Sequence, residues 1–181
     1  MLEPDGATAS ERALSRAAGV SMPTLRHYFA TRDELIAAVF AHARRAALVH
    51  LHEIAAGALA PVRESVRWTL AFVVDGLTRF DLAGLHALGL RVGLRQPALG
   101  PAYLADVLEP TLSAVEARLE RHAARGELRA HCGRAAALDL VAPALLAVLH
   151  QRELGGAACR PLNLQHFLDA HAEAFVRGWS P

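Results

Sequence analysis

The chain has 181 residues, enough for one large domain or for a small head on a larger body. Apolar residues make up 53% of it, ample for a core, yet no run of about eighteen apolar residues marks a membrane span, and residues 1–20 lack a secretory leader pattern. A net charge of +1 neither demands nor excludes nucleic acid, and Cys132 and Cys159, without any CxxC spacing, predict a reducing, cytoplasmic setting and no disulfide framework.

All 19 basic residues are arginine, and alanine is abundant; with leucine these are strong helix formers. Valine, isoleucine and threonine never cluster into alternating runs, so the chain reads as all-α. Punctuation falls at Gly19, at Ala30-Thr31, and around residues 57–61, 80–84, 96–101, 126–133 and 155–161, with segments of helical length between.

From Ala17 to Leu35 the chain reads AAGVSMPTLRHYFATRDEL. Gly19 lets the chain leave a helix ending at Ala18 through a left-handed residue. Ser21 caps a second helix, with Pro23 in its first turn, where a missing N–H costs nothing. Leu25 and Phe29 are four apart and face inward, towards Leu14 and Ala18. Pro23, Arg26 and His27 fall on the opposite side, flanked by Thr24 and Tyr28. Thr31 then starts a third helix, with Glu34 completing a capping box. Two short helices joined by a tight glycine turn make a helix-turn-helix, whose second helix carries polar and aromatic groups where a major groove would lie.

Further along, PVRESVRWTLAFVVDGLTRF places Val62, Val66, Leu70, Val73 and Leu77 on one core-facing stripe. PAYLADVLEPTLSAVEARLERHAARGELR predicts a long helix that Pro110 should kink by removing a backbone hydrogen bond. In the last two helices, Leu138, Val141, Leu145, Val148 and Leu149 line one side of the first. Leu164, Phe167, Leu168, His171, Phe175 and Trp179 line one side of the second. Stripes so broad predict an isologous four-helix contact between two copies. The ten histidines predict no metal site: His50 and His52 point apart on a helix, and His131-Cys132 is a lone pair. Neither Gly-x-Ser-x-Gly nor a phosphate-cradling glycine loop is present, so no catalytic residue is assigned.

LSRAAGVSMPTLRHYFATRDELIAAVF resembles the TetR/AcrR type of bacterial transcriptional regulator. The shared pattern is a small-residue helix, G-V-S, a T-L-x-x-[HY]-F recognition helix, then a basic residue and an acidic pair opening a long helix. LERHAARGELR and the two amphipathic helices after it resemble the end of that family's body, so the likeness is strong over residues 8–40 and loose beyond. It implies an all-α protein with a helix-turn-helix head, residues 1–40, and a helical ligand-binding and dimerisation body, residues 41–181. It further implies base-edge contacts from Met22, Pro23 and Arg26, and phosphate contacts from Thr24, His27, Tyr28 and Arg32. Physics agrees that Arg26 can fork onto a guanine. Thr24, Tyr28 and the start of the helix opened by Thr31 can hold phosphates.

The chain departs from the pattern at Arg26, where an aromatic is usual, and at Glu11, where a β-branched apolar residue is usual. The family's first helix would precede Gly6, where only MLEPD stands, and the expectation is a start codon assigned too late. Residues 1–40 hold Arg12, Arg16, Arg26 and Arg32 against Glu3, Asp5, Glu11, Asp33 and Glu34, an excess of one negative charge rather than a basic footprint. In the family the region of the Pro110 kink bounds an inducer cavity, for which the polar candidates here are Trp68, Asp75, His86, Arg91, Arg95 and Tyr103.

The resemblance thus implies a ligand-responsive, dimeric, cytoplasmic DNA-binding regulator: a repressor that a small-molecule inducer releases from a palindromic operator. It implies no enzymatic activity, no cofactor and no membrane partner. The alternative is a helical ligand-binding or scaffolding dimer that no longer binds DNA. A third reading is a small all-helical enzyme using the body cavity.

Overall fold

The computed structural model describes residues 19–57, 60–130 and 133–181, and every regular element among them is a helix. In chain order these are α1 (Met22–Tyr28), α2 (Arg32–Ala56), α3 (Val62–Arg79), α4 (Leu82–Gly93) and α5 (Leu99–Tyr103). A π turn (Leu104–Leu108) then runs straight into α6 (Glu109–Ala124), followed by α7 (Gly133–Arg152), α8 (Gly156–Cys159) and α9 (Leu164–Trp179).

The helix starts follow the caps. Ser21 Oγ accepts from the Thr24 N–H at 3.2 Å, and Thr31 Oγ1 from the Glu34 N–H at 3.2 Å. The Glu34 carboxylate reaches back one residue further than a capping box requires, to the Ala30 N–H at 2.9 Å. Gly19 has the left-handed φ of +65° that its place in the turn demands. The helix expected to end at Ala18, with Leu14 and Ala18 as partners of Leu25 and Phe29, lies outside the described residues.

The stretch around Pro110 differs from the predicted simple kink. The Glu109 N–H reaches back five residues to the Leu104 carbonyl, opening a wide turn just before the proline. That turn gives the ring room, because in a regular helix it would press on the carbonyl four residues earlier. The helix also stops at Ala124, short of the predicted Arg129.

Two apolar clusters hold the body. The larger one takes Val66, Leu70, Val74 and Leu77 from α3 together with the inner faces of α6, α7 and α9. Val73, predicted to face the core, is half-buried, and Val74 takes the central place instead. The smaller cluster joins Ile36 and Phe40 of α2 to Val92, Leu99, Tyr103 and Val107. Residue 40 therefore lies within an uninterrupted 25-residue helix whose first half is already packed on the body.

The stripes on the last two helices divide between two uses. Val141, Val148, Leu149, Leu168 and Phe175 are buried inside the chain, and Leu145, Leu164, Phe167 and Trp179 are half-buried against the same core. On α7 Leu138 at 42%, Ala142 and Leu146 at 63% stand exposed, each four residues from the next. α9 is pinned beside α7 by His171 Nε2, 3.0 Å from the Leu140 carbonyl, and by Trp179 Nε1, which donates to Asp139 at 2.9 Å. One step round α9 from His171 stand the small, exposed Ala170 and Ala174. α7 is also long and apolar enough to cross a membrane by length and composition alone, but half of that window is buried, as in the central helix of a bundle.

Candidate nucleic-acid interface

α1 is a seven-residue helix anchored by Leu25, at 8% exposure. Phe29 closes it in extended geometry and is half-buried, with its N–H on the Leu25 carbonyl at 2.9 Å. Burying Leu25 turns the opposite side outward: Pro23, Thr24, Arg26, His27 and Tyr28 are all exposed, Tyr28 at 73%. Met22 occupies the first helical position. The Thr24 hydroxyl lies 2.7 Å from the Ser21 hydroxyl, which fixes its rotamer near the helix start. The His27 and Tyr28 rings meet edge to face at 5.3 Å, so the two aromatic groups hold one another on the surface. Arg32 opens α2 and is half-buried, nearer the protein than its predicted phosphate role suggests. Asp33 and Glu34 share that first turn, so the positive end of the α2 dipole is already partly neutralised.

Of the six ligand candidates in the body, the fold brings two together. His86 and Tyr103 are both buried, with Nδ1 and Oη 2.8 Å apart and the rings nearly perpendicular. Burial pushes the imidazole down to about 4 and the phenol up to about 12, so both are neutral near pH 7. Trp68 stands elsewhere, stacked on Phe72 at 4.7 Å with the Arg118 guanidinium 4.4 Å above its ring. Its edge borders a groove of about 280 Å³ between α3 and α9, lined also by Arg67, Ala71, Gln165, Leu168 and Asp169. Asp75 is paired with Arg79 at 2.5 Å, and Arg91 and Arg95 lie on the exposed side of the α4–α5 hairpin. Among the described residues no group of three or more His, Cys, Asp or Glu side chains is placed to hold a metal ion.

His86 has a measurable consequence for stability. Its folded pKa lies below the ordinary 6.5, so the folded protein resists a proton that the unfolded chain accepts. Stability is complete above pH 6.5 and should fall as the pH drops towards 4, by about 3 kcal/mol in all from this residue. In urea titrations, His86→Gln should therefore lose about 2–3 kcal/mol less than the wild type between pH 7 and 4.5. Equal losses in the two proteins would rule out a buried, neutral His86.

Sequence reasoning passed over three residues that the fold makes important. Phe40 is fully buried between α2 and the body, Gly89 lies beneath the Tyr103 ring, and Arg118 is 4% exposed. Arg118 donates to Ser65 Oγ and to the Ile54 carbonyl, both at 2.7 Å. Burial, then the charge of Arg121, pulls its pKa below the ordinary value. Gly89 and Gly93, four apart in a helix, were a legible sign of close helix contact; Arg118 gave none, since a lone arginine on a helix is usually solvated.

No protein-family model and no curated protein matches the chain. A solved structure does: a candidate TetR-family transcriptional regulator from Mesorhizobium loti MAFF303099, at 20% identity and a TM-score of 0.67. The alignment covers 95% of this chain and 87% of that one. With its short capped helix standing on a long connecting helix and a helical body behind, the chain has the fold of that TetR-type regulator.

Proposed function

We propose that the chain is a dimeric DNA-binding transcriptional regulator, a repressor released from a palindromic operator by a small molecule. Residues 1–40 act as the reading head and residues 41–181 as the ligand-binding and dimerisation body. The observation that carries this reading is α1. Its buried Leu25 orients Pro23, Thr24, Arg26, His27 and Tyr28 outward together, on a helix capped and aligned by Ser21 at the end of a long connecting helix. The shared fold adds support over nearly the whole chain. The exposed Leu138, Ala142 and Leu146, beside the small residues of α9, offer a self-complementary face that would give two reading heads. Such a regulator works in the cytoplasm, needs no cofactor and catalyses nothing. The rival, a helical dimer that binds a ligand but no DNA, draws on the charge of residues 1–40, where acids outnumber arginines by one.

Selection of random duplexes at two salt concentrations separates the two. The regulator reading expects a palindromic sequence to be enriched; no enrichment would favour the rival. On the enriched duplex, Arg26→Ala should relax preference at one base pair per half-site, by about 1–3 kcal/mol. Arg32→Ala should weaken every sequence alike and lower the salt slope by about one unit per head. A base-specific effect from Arg32, or a uniform one from Arg26, would reverse the two roles.

A further inference from the structure

The connecting helix α2 is held to the body at two places. At its far end, Arg118 and Arg121 of α6 donate to the Ile54 and Ala56 carbonyls at 2.7 and 2.8 Å, and Arg125 reaches the Ala60 carbonyl at 3.1 Å. The first two bonds satisfy carbonyls that a helix end leaves open and the third holds the connection just beyond, so the C-terminus of α2 is clamped. Nearer the head, Ile36, Phe40 and Arg44 recur every four residues along one stripe. The first two are buried in the small apolar cluster, and Arg44 pairs with Asp106 of the π turn at 3.3 Å.

This second seam depends on Tyr103. Its ring stands tilted against Phe40 at 6.0 Å and perpendicular to His86 at 5.8 Å. Beneath it is Gly89, where an added Cβ would lie 2.1 Å from Tyr103 Cδ2. One turn on, a Cβ at Gly93 would come within 3.1 Å of the Gly100 Cα, so α4 and α5 cross in backbone contact and cannot part to make room locally. Tyr103 is 3% exposed, and the π turn starts at the next residue. Any group that lifts the ring off Gly89 must drive it against His86 or Phe40, or shift the turn that holds Asp106.

We propose that Tyr103, seated over Gly89, is the positioning residue through which the body sets the angle of α2, with the arginine clamp as the pivot. Rise along a helix is uniform, so a displacement at Phe40 grows about half again by Thr31, at the start of the helix beside α1. The movement itself needs no DNA. Its consequence for operator binding rests on the regulator reading above.

The test uses the full chain with Cys132 and Cys159 replaced by serine and spin labels at Ala30→Cys and Leu154→Cys. Labelled chain is diluted with unlabelled chain so that each measured distance lies within one protomer. Gly89→Ala should move the modal distance outside the wild-type distribution with helicity retained. Adding Tyr103→Ala, which removes the ring the new methyl strikes, should bring it back. An unshifted distance in folded Gly89→Ala, or a shift that the second change does not reverse, overturns the proposal. Should Gly89→Ala fail to fold, Tyr103→Ala alone decides. Loss of the ring should broaden the distribution, while Tyr103→Phe, which keeps the ring, should not; matching distributions in the two refute the role. On the enriched palindromic duplex, Gly89→Ala should weaken binding about 5–150-fold, the usual span of coupling between sites. A shifted distance in a protein whose wild type retains no duplex would refute the regulator reading alone. Unaltered duplex binding with an unaltered distance would refute the lever alone.

Discussion

Replacing Leu138 and Leu146 by glutamate should turn a dimer into folded monomers and, in the same step, abolish retention of a palindromic duplex. Both side chains project from α7 into solvent, at 42% and 63% exposure, with Ala142 midway between them. Two exposed leucines eight residues apart with a small alanine between them, together with the small exposed Ala170 and Ala174 of α9, would let two helix pairs approach closely about a two-fold axis. Each leucine fully covered is worth about 1.5–3 kcal/mol, and the symmetry supplies every one twice. A glutamate there loses that burial and brings like charges together across the axis, each to be stripped of water. Because neither residue contributes to the chain's own core, helicity and the urea midpoint should stay near wild type. Sedimentation showing an intact dimer for the double variant would remove this face from the interface.

The choice of these two residues reflects a division that the apolar pattern alone conceals. Phe175 belongs to the stripe predicted on α9, yet it is 2% exposed and packs among Leu140, Ala172 and the other inner residues of the large cluster. A charge at Phe175 would unfold the protomer and so say nothing about pairing.

Phe40→Ala should lower the stability of the chain by about 3–5 kcal/mol, the range for a buried phenylalanine replaced by alanine. Its side chain is 0% exposed in the seam between α2 and the α4–α5 hairpin. The cavity left behind cannot readily close, since Gly89 and Tyr103 are already in contact distance and Gly93 and Gly100 meet backbone to backbone. The buried members of the main cluster are distinct from those of this seam, with Leu108 packed against both, so Phe40→Leu, which refills most of the volume, should recover most of the loss. Urea titration monitored by far-ultraviolet circular dichroism measures both. A loss below about 1 kcal/mol would mean that the seam rearranges freely, and α2 would then be an independent element rather than part of the body.

By itself the sequence determined the helical class, the capped turn at the head and which side of α1 is exposed. Each of these is local: Gly19, Ser21, Thr31 and the Leu25/Phe29 spacing act within one turn of helix, and their physics needs no knowledge of what lies opposite. It also marked an apolar stripe along one side of each terminal helix, which periodicity can register without saying what that side meets. Tertiary structure alone decided the rest. Whether an apolar residue such as Phe175 or Leu138 faces the chain's own core or the solvent depends on the partner helix, and both satisfy the same spacing rule. Trp68 and Asp75 read as plausible cavity residues beside His86 and Tyr103, but only the crossing of α4 with α5 at Gly89 and Gly93 brings the last two together, and α3 carries the others away. Pro110 announced a disturbance; that it became a wide turn bearing Asp106, opposite Arg44, follows from residues 62 positions apart meeting in space. Contacts between distant parts of a chain cost loop entropy and are chosen by the sum of the packing, which no local pattern contains.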